Sequence, residues 1–350
     1  MIIKTEKFKR AAKIVFSAME TGNVYFESLY LDFKNSFAYF TNSNYSGRFS
    51  FEWIAEENET TLEGVFINIP TFFAICDTYD EIILSNNLEI TSGNEMFKIH
   101  CFVDVFALPD FDLNNYNPSC ALIDSELKEA ISEASHFAGK ESKLNGILIE
   151  SNSIVSTDRY KIYEAKFENA DNPRICLPSH FVSIFSCVEA INCFCKDGKL
   201  LMVGYVGDEK FFEIVGKEVE LKTPPMKDPD FISRYNHPTF IIFKRIDILS
   251  VLKFMEPFVK GNINERLYLN ITADKLLIEA KDEIKANRII DLSECSSELI
   301  DSGVWVKRSD FQTAINVLSG ENIKLQLDLS KPAFNLSGDG SKHIAFARMV

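Results

Sequence analysis

LNGILIESNSIVSTDRYKI, residues 144–162, is the stretch that decides the fold. Apolar side chains recur at Ile147, Ile149 and Ile154, and the polar residues Ser151–Ser153 separate the two apolar runs. Alternation with a period of two is typical of strands, and two such runs joined by a short polar turn predict a β-hairpin. No set of catalytic side chains accompanies the hairpin, so its meaning depends on the rest of the chain.

The overall composition predicts a globular protein with more than one domain. The chain has 350 residues, too many for one ordinary core, and 46% of them are hydrophobic. No apolar run reaches the roughly 20 residues that a membrane helix needs, and the N-terminus lacks the apolar region of a signal peptide. We therefore expect a cytoplasmic protein without membrane contact.

The eight cysteines indicate reduced thiols. They are scattered, and the closest pair, Cys193 and Cys195, has no second Cys/His pair at zinc-binding spacing. Such thiols are common in the cores of cytosolic proteins. We expect no metal and no cofactor.

The net charge of −14 argues against nucleic-acid binding only if the charge is spread evenly. Its distribution is uneven. A first amphipathic helix, predicted over Thr5–Met19, has an apolar face that includes Phe8, Val15 and Phe16. The rest of this helix carries the cations Lys7, Lys9, Arg10 and Lys13.

The order helix, strands, helix, strands occurs three times along the chain. Phe8, Leu127 and Ile248 hold equivalent positions on the three first helices, 119 and 121 residues apart. The second helices carry Phe73, Phe181 and Phe311, and each of these has a Thr or Ser two residues earlier. Periods this long indicate repeated domains, which we place at residues 1–116, 117–236 and 237–350, with linkers near 108–118 and 229–238. Helices on one face of antiparallel sheets make the fold class α+β.

Short motifs stand at corresponding places in these repeats. They begin at Leu144, Thr157, Asp110 and Asp228 and end with the tail Ala345–Val350. In this order they resemble the bacterial-type DNA polymerase sliding clamps, the DNA polymerase III beta subunits. That family carries Leu-Asn-Gly-x-Leu-x-Glu, then Thr-Asp-Gly-His-Arg-Leu, and its domains end in Asp-Phe-Pro-Asn-Leu and Phe-Pro-Asp-Tyr.

The resemblance implies a sliding clamp, a non-enzymatic processivity factor of DNA replication. Three clamp domains per chain would close into a ring as a head-to-tail homodimer, with the helices lining a channel for double-stranded DNA held without sequence specificity. The implied partners are the DNA polymerase, the clamp loader and other replication or repair proteins that bind through short linear peptides.

The resemblance also implies three sets of site residues. The partner-peptide groove would be formed by Leu144, Thr157, Arg159, Tyr160, Ile162, Pro229, Ser233, Arg234, Phe346, Ala347, Arg348, Met349 and Val350. The DNA channel would carry Lys7, Lys9, Arg10, Lys13, Lys128, Lys140, Lys143, Lys244, Arg245, Lys253, Lys307 and Arg308. The dimer interface would be an apolar edge strand over Met96–Val105, with Cys101 and Val103 outward, or Phe102 if the register slips by one.

Some residues depart from the family pattern. Arg159, Tyr160 and Lys161 stand where the family has Gly-His-Arg, and Ala347 replaces a proline, which predicts an altered groove. The second repeat is acidic on its first helix, with Glu126, Glu129 and Glu133 beside Lys128, so we expect a channel that is basic in two of three domains.

Three alternatives stay open. One is a clamp-like peptide-binding or regulatory protein that does not encircle DNA. Another is an enzyme with an unrecognised site, although Gly139-Lys140 lacks a phosphate-loop glycine pattern and Asp158 has no nucleophile or metal cluster near it in sequence. The third concerns the groove alone, since Phe346 and Val350 are also compatible with the end of a core strand.

Overall fold

The computed structural model describes residues 1–19, 28–42, 44–55, 63–85, 88–97, 101–102, 109–117, 120–139, 146–158, 160–167, 172–219, 237–260, 265–281, 285–330, 333–340 and 342–347. The chain divides into two compact units, Met1–Glu129 with Asn172–Glu220 and Ala130–Asp171 with Leu221–Val350. The middle one of the three predicted domains contributes to both units, so the boundaries at residues 116 and 236 stay a prediction.

The α-helices of the described residues are α1 (Glu6–Met19), α2 (Ile69–Thr78), α3 (Ser125–Ser135), α4 (Val182–Phe185), α5 (Arg245–Val259) and α6 (Arg308–Val317). The strands of the first third are β1 (Ile2–Lys4), β2 (Ser28–Asp32), β3 (Phe37–Thr41), β4 (Tyr45–Ser50), β5 (Trp53–Ile54), β6 (Gly64–Asn68), β7 (Glu81–Leu84), β8 (Ile90–Ser92), β9 (Glu95–Phe97) and β10 (Cys101–Phe102). The middle third contains β11 (Cys120–Ile123), β12 (Gly146–Ser151), β13 (Ser153–Thr157), β14 (Lys161–Lys166), β15 (Asn172–Pro178), β16 (Ala190–Lys196), β17 (Lys199–Val206) and β18 (Glu209–Lys217). The last third contains β19 (Phe240–Lys244), β20 (Arg266–Ile271), β21 (Lys275–Ala280), β22 (Ala286–Cys295), β23 (Ser302–Lys307), β24 (Asn322–Leu327), β25 (Ala333–Ser337) and β26 (Lys342–Ala347).

The first unit contains, among its described residues, two antiparallel sheets. Their strand orders are β5-β1-β7-β8-β9 and β10-β6-β2-β3-β4-β18-β17-β16-β11. Helix α1 packs on them through Phe8, Ala11 and Val15, which are fully buried. The expected apolar face was wrong at one position, because Phe16 is 44% exposed whereas Ile14 is fully buried.

In the second unit, the described strands are hydrogen-bonded in the order β12-β13-β14-β26-β25-β24-β19-β22-β21-β20-β23. Helix α5 buries Ile248, Leu252 and Met255 against this sheet, as the apolar periodicity predicts. Phe311 of α6 is buried too. Antiparallel sheets with helices packed on one face confirm the α+β class.

The hairpin predicted at residues 144–162 is confirmed for its described part. β12 and β13 pair with Ile149 opposite Ile154 and Glu150 opposite Ser153. The turn residue Ser151 has φ of 51°, the left-handed conformation that such a tight reversal needs. Leu148 is as buried as its neighbours, so both faces of β12 are covered.

The edge strand predicted over Met96–Val105 is described in two parts. Residues 95–97 form β9, the last strand of the five-stranded order, whereas Cys101 and Phe102 form β10 and pair with Ile67 and Phe66 of β6. The segment therefore serves two sheets, and both described parts lie at a sheet edge. Val103 lies outside the described residues.

The first linker is part of the core of the first unit. Its side chains Phe111 and Tyr116 are buried against Tyr39, Leu201 and Val203. These three residues lie on β3 and β17, so the linker covers the face of the nine-stranded sheet that is opposite the helices.

Candidate partner groove and nucleic-acid surface

The turn between β13 and β14 is held by its own side chains. The Asp158 carboxylate accepts hydrogen bonds from the backbone N–H groups of Tyr160 (2.9 Å) and Lys161 (2.8 Å). The Thr157 hydroxyl donates to the Lys161 carbonyl oxygen at 2.8 Å. An aspartate that closes a turn in this way fixes the backbone. Asp158 therefore organises this loop.

The same turn is attached to helix α6. The Lys161 ammonium lies 3.1 Å from the Asp310 carboxylate in the first turn of α6 and 3.5 Å from Asp158. Its side chain is only 15% exposed, so this ion pair is less screened than a surface pair. Tyr160, whose own N–H is bound by Asp158, has a side chain that is 71% exposed. The loop therefore presents an aromatic ring from a fixed backbone.

The described members of the predicted peptide groove lie side by side on the sheet. Lys161 pairs with Phe346 and Ile162 with Ala345, and Thr157 pairs with Ile162. Phe346 is 7% exposed and stacks on Phe334 with ring centroids 5.2 Å apart. Its expected role as an open groove wall was therefore wrong in part, because the ring already belongs to the core.

Most of the other predicted groove residues lie outside the described residues. They are Leu144, Arg159, Pro229, Ser233, Arg234, Arg348, Met349 and Val350. Ala347 ends β26, where its backbone pairs with Ala333. The groove as a whole stays a prediction.

Four of the predicted channel cations are exposed to solvent. Arg10 and Lys13 lie on the solvent side of α1, and Lys244 and Lys253 lie at the start and in the middle of α5. Lys260, directly after α5, has a 71% exposed side chain and was missed because it follows the helix rather than lying within its predicted face; it pairs with Glu256 at 3.4 Å. Lys244 lies 3.7 Å from Glu321 in the same way, so Arg10, Lys13 and Lys253 are better placed to approach phosphate groups.

Three other predicted channel cations are used inside the fold. The Lys128 ammonium lies 2.6 Å from the carbonyl oxygens of both Val188 and Glu189. Arg245 donates from Nε to the Ile315 carbonyl oxygen at the end of α6 (2.9 Å), which is the position where a cation stabilises a helix.

Arg308 is only 6% exposed and therefore has to be removed from the predicted channel set. Its guanidinium lies 2.6 Å from the Gln312 amide oxygen, 3.8 Å from Glu256 and 3.7 Å from Glu265. Burying a guanidinium is tolerated only when carboxylates and hydrogen bonds compensate its charge. Its role is structural.

The cations at the start of α1 are neutralised by carboxylates. Lys7 bridges Glu52 (3.5 Å) and Glu209 (3.0 Å), and Lys9 pairs with Asp80 at 2.9 Å. These residues line a cavity of about 680 Å³ that holds both signs of charge. Lys307 is similarly 3.9 Å from Asp310. The basic surface is therefore smaller than the sequence suggests, and Lys140 and Lys143 lie outside the described residues.

Acidic Glu133, which made the second repeat an exception, is a structural residue. Its carboxylate accepts a hydrogen bond from the Tyr163 hydroxyl (2.7 Å) and pairs with the Lys342 ammonium (2.8 Å). It therefore links α3 to β14 and β26. Sequence reasoning missed this because the partners are distant in the chain.

Within the described ranges, no group of three or more His, Cys, Asp or Glu side chains is arranged to hold a metal ion. None of the described helices combines the length and apolar character needed to cross a membrane.

No model of a known protein family matches the chain, and no curated protein matches it. Solved structures do. The DNA polymerase sliding clamp of Bacillus subtilis is 14% identical, with a TM-score of 0.78 over 100% of this chain and 98% of that one. This chain has the sliding-clamp fold. The DNA polymerase III beta subunit of Thermotoga maritima gives a TM-score of 0.79 at 14% identity, covering 100% and 99% of the two chains. The beta subunit from the DNA polymerase of Streptococcus pyogenes gives 0.76 at 16% identity, covering 99% of both.

The sliding-clamp fold explains why the motifs recur in order despite such low identity. The fold prediction made from residues 144–162 and the threefold repeat is confirmed over the whole chain. At identities of 14–16% the comparisons show the fold alone, so the roles of the groove and channel side chains are argued from their own contacts.

Proposed function

We propose that this chain is a DNA sliding clamp: a homodimeric ring that encircles duplex DNA, holds a polymerase on its template and catalyses no reaction itself. The observation that carries the proposal is the sliding-clamp fold over the full length of the chain, with 98–100% of both chains covered. A protein of this kind would work in the cytoplasm, beside the replicating DNA.

Two internal joints support a ring built by repetition. In the first joint, β4 pairs with β18, and Arg48 lies opposite Glu213 with 2.5 Å between Nε and Oε2. In the second joint, β14 pairs with β26, and Glu164 lies opposite His343. Each joint continues a sheet from one repeat into the next, the first within the first unit and the second within the second unit.

Two strand edges remain for a third joint of the same kind. Residues 286–291 of β22 correspond to β4 and β14, and within the described residues they pair only with β21. β9 corresponds to β18 and β26, and it ends the five-stranded order. When the cross-strand pairs of each repeat are followed in the same order, Ile289 is at the position equivalent to Arg48 and Glu164. Met96 is at the position equivalent to Glu213 and His343. Their exposed fractions, 57% and 60%, are high for apolar side chains.

Two copies in head-to-tail order would form two such third joints and so close a ring. The helix side agrees with this arrangement. Phe254 on α5 is 39% exposed, but the equivalent Ile14 on α1 is fully buried. At the first joint the helices meet through Lys13, whose ammonium lies 2.7 Å from the Ser186 hydroxyl of the turn after α4. Phe254 would be covered in the same way by a second copy.

Duplex DNA would be held by few cations. Arg10, Lys13 and Lys253 are exposed on the first helices of the first and third repeats, and Lys260, which pairs with Glu256, follows the second of these helices. A ring needs only weak contacts, because its topology keeps it on the duplex, and contacts to phosphates carry no sequence preference. The net charge of −14 would keep the outer surface away from DNA.

The partner groove would lie at the anchored turn between β13 and β14. We propose that Tyr160, rather than Phe346, is the aromatic contact for a partner peptide, because its ring is exposed whereas the Phe346 ring is buried. Aromatic anchors dominate binding at such sites. The other walls of the groove would be formed by residues 229–234 and 348–350, and polymerase and loader peptides would bind between them and the turn.

The proposal is tested by mass and by retention on DNA. Sedimentation should give twice the chain mass of 39.8 kDa. The protein, loaded on a nicked circular duplex, should slide off the DNA when the circle is linearised. Arg10→Glu with Lys13→Glu should speed this loss and leave the dimer intact, whereas Lys199→Glu, an exposed charge on the β16–β17 turn, should change neither.

With about four to six phosphate contacts at a time, the logarithm of the affinity should fall with the logarithm of salt at a slope of roughly −4 to −5. A monomer, or equal retention on circular and linear DNA, contradicts the ring. A stable dimer that does not bind DNA would instead favour the second candidate, a clamp-like peptide-binding protein. The ion pairs of Lys7 and Lys9 favour this candidate, because they reduce the basic surface.

A further inference from the structure

The solvent side of helix α1 carries an aromatic ring beside two cations. Over residues 6–18 the exposed residues of this helix are Glu6, Arg10, Lys13 and Phe16, and their spacings of four and three residues place them on one face. The Phe16 side chain is 44% exposed. A large apolar side chain on a face that is otherwise charged requires a reason.

The other repeats show that the fold does not need an aromatic ring at this position. Ser135 and Glu256 hold the place of Phe16 in the second and third repeats, each eight residues after the equivalent apolar residue of its first helix. Phe16 contacts Phe73 of α2, and the equivalent of Phe73 on α6 is Phe311. Phe311 is 1% exposed although a glutamate takes the place of Phe16 there. Burial of the second helix therefore does not depend on the ring.

The Phe16 ring is supported by an aromatic cluster. Its centroid lies 5.5 Å from that of Phe73, with an angle of 55° between the ring planes. Phe73 is 4% exposed and packs in turn against Phe72 and Phe8, with centroids 6.3 and 6.4 Å away. One part of the Phe16 ring therefore rests on buried rings, and the rest is open to solvent. A side chain supported in this way loses little further freedom when a flat group stacks on it.

The two cations beside the ring are held by neutral groups. The Lys13 ammonium lies 2.7 Å from the Ser186 hydroxyl, and the Arg10 guanidinium lies 5.7 Å from the centre of the Phe211 ring. Neither cation forms an ion pair with a described residue, in contrast to Lys9 on the same helix, which pairs with a carboxylate. Their charges are therefore available to an anionic ligand.

The spacing along the helix places these cations near the ring. At a rise of about 1.5 Å per residue, Lys13 and Arg10 precede Phe16 by about 4.5 and 9 Å along the axis. Glu6, the only acidic residue in the sequence of α1, precedes it by about 15 Å. The half of this face that contains the ring is therefore positively charged.

We infer that Phe16, Lys13 and Arg10 form a site for single-stranded DNA, in which an unpaired base stacks on the Phe16 ring and the neighbouring phosphates approach the two cations. A positively charged surface with an aromatic ring is the combination that binds single strands without sequence preference. A paired base cannot stack on the ring, because its neighbours in the duplex cover both of its faces. The inference rests on the proposed function, since the site lies on the helix that would face the duplex. It would let the ring distinguish a gap or a primer end from continuous duplex.

The probe is a fluorescein-labelled oligothymidylate of about 16 nucleotides, and the reference is a duplex of the same length. Binding of each to the full-length protein at low salt is followed by fluorescence anisotropy. Phe16→Ala removes the ring, Phe16→Tyr keeps it, and Lys13→Glu reverses a charge. Leu122→Ala is the matched control, because this aliphatic residue is also exposed (51%) but lies on β11. Circular dichroism checks that each variant is folded.

Phe16→Ala should weaken binding of the single strand at least about tenfold and leave binding of the duplex unchanged. Phe16→Tyr should bind both like the wild type, Lys13→Glu should weaken both, and Leu122→Ala should change neither. Phe16→Trp gives a direct signal, since the emission of the added tryptophan should be quenched by the single strand and not by the duplex. The inference is overturned if the wild type shows no saturable binding of the single strand, if Phe16→Ala weakens both ligands equally or neither, or if no quenching is seen.

The proposed clamp function is measured separately, by the sedimentation mass and by retention on the nicked circle, and Phe16→Ala should keep both. A monomeric wild-type protein, or one that is not retained, contradicts the clamp, whereas binding of the oligothymidylate that depends on Phe16 would still stand. If Phe16→Ala binds single strands normally but no longer stimulates a polymerase, the ring serves a protein contact and the inference falls.

Discussion

Ile289→Arg should separate the proposed ring into monomers. Burying an Ile or Met side chain fully is worth about 1.5–3 kcal/mol. Because Ile289 is 57% exposed in the single chain, a partner could add only about 1 kcal/mol there. The arginine also places a charge against the apolar Met96 of the other copy, at a cost of at least about 2 kcal/mol. Two third joints per ring double the loss to about 6 kcal/mol, or about four decades in the dimer dissociation constant.

The matched rescue is copied from the first joint of this chain. Ile289→Arg combined with Met96→Glu places an arginine opposite a glutamate, as Arg48 lies opposite Glu213. The double variant should recover at least about two of the lost decades. Sedimentation velocity from nanomolar to high micromolar concentration measures the dimer, and circular dichroism confirms that each variant is folded. An Ile289→Arg protein that dimerises like the wild type, or a folded double variant no better than the single ones, refutes the joint.

Further tests address the groove, the first joint and pH. Tyr160→Ala should abolish stimulation of a polymerase without changing the melting temperature. Phe346→Ala should lower the free energy of unfolding by about 3–5 kcal/mol, because its ring is buried. The reverse outcome would make Phe346 the groove wall. Arg48→Met should destabilise the fold by about 3 kcal/mol in urea unfolding, because Glu213, 2% exposed, loses its main partner, and an unchanged midpoint would show that Lys210 suffices. Burial lowers the pKa of His180 to about 4 from an ordinary value of 6.5, so the unfolded chain binds this proton more tightly. Stability should therefore be complete above about pH 6.5 and decline down to about pH 4, and a His180→Phe variant with the same decline would exclude this histidine.

The elements that sequence reasoning placed well are the ones with one clear buried face. Helix α5 has Ile248, Leu252 and Met255 inward, and the hairpin of β12 and β13 is bounded by a polar turn. β22 was missed because most of its ten residues are exposed, so the alternation that marks a half-buried strand is absent. The short strands β1, β11 and β19 were missed because each is too short for a period to be visible before the helix begins.

The site was less predictable than the fold for a physical reason. Whether a lysine is available for DNA depends on carboxylates that the fold brings beside it. Lys7 pairs with Glu209, 202 residues away, and Arg308 with Glu256 on another helix. Whether Phe346 lines a groove or ends a core strand depends on Phe334, which stacks on it. Composition and spacing carry no information about such contacts.

The joints differ in chemistry, and that difference bears on how a chain of three similar repeats finds its correct pairing. Arg48 meets Glu213 in the first joint, Glu164 meets His343 in the second, and Ile289 is left for an apolar neighbour. If β14 were to pair with β18 during folding, Glu164 would be buried against Glu213, and two facing carboxylates repel each other. If β22 paired with β18, the same Glu213 would lose its cation to an isoleucine. Exchange of repeats between nascent chains is therefore penalised at these two wrong joints, so one cross-strand position helps each repeat to select its correct neighbour.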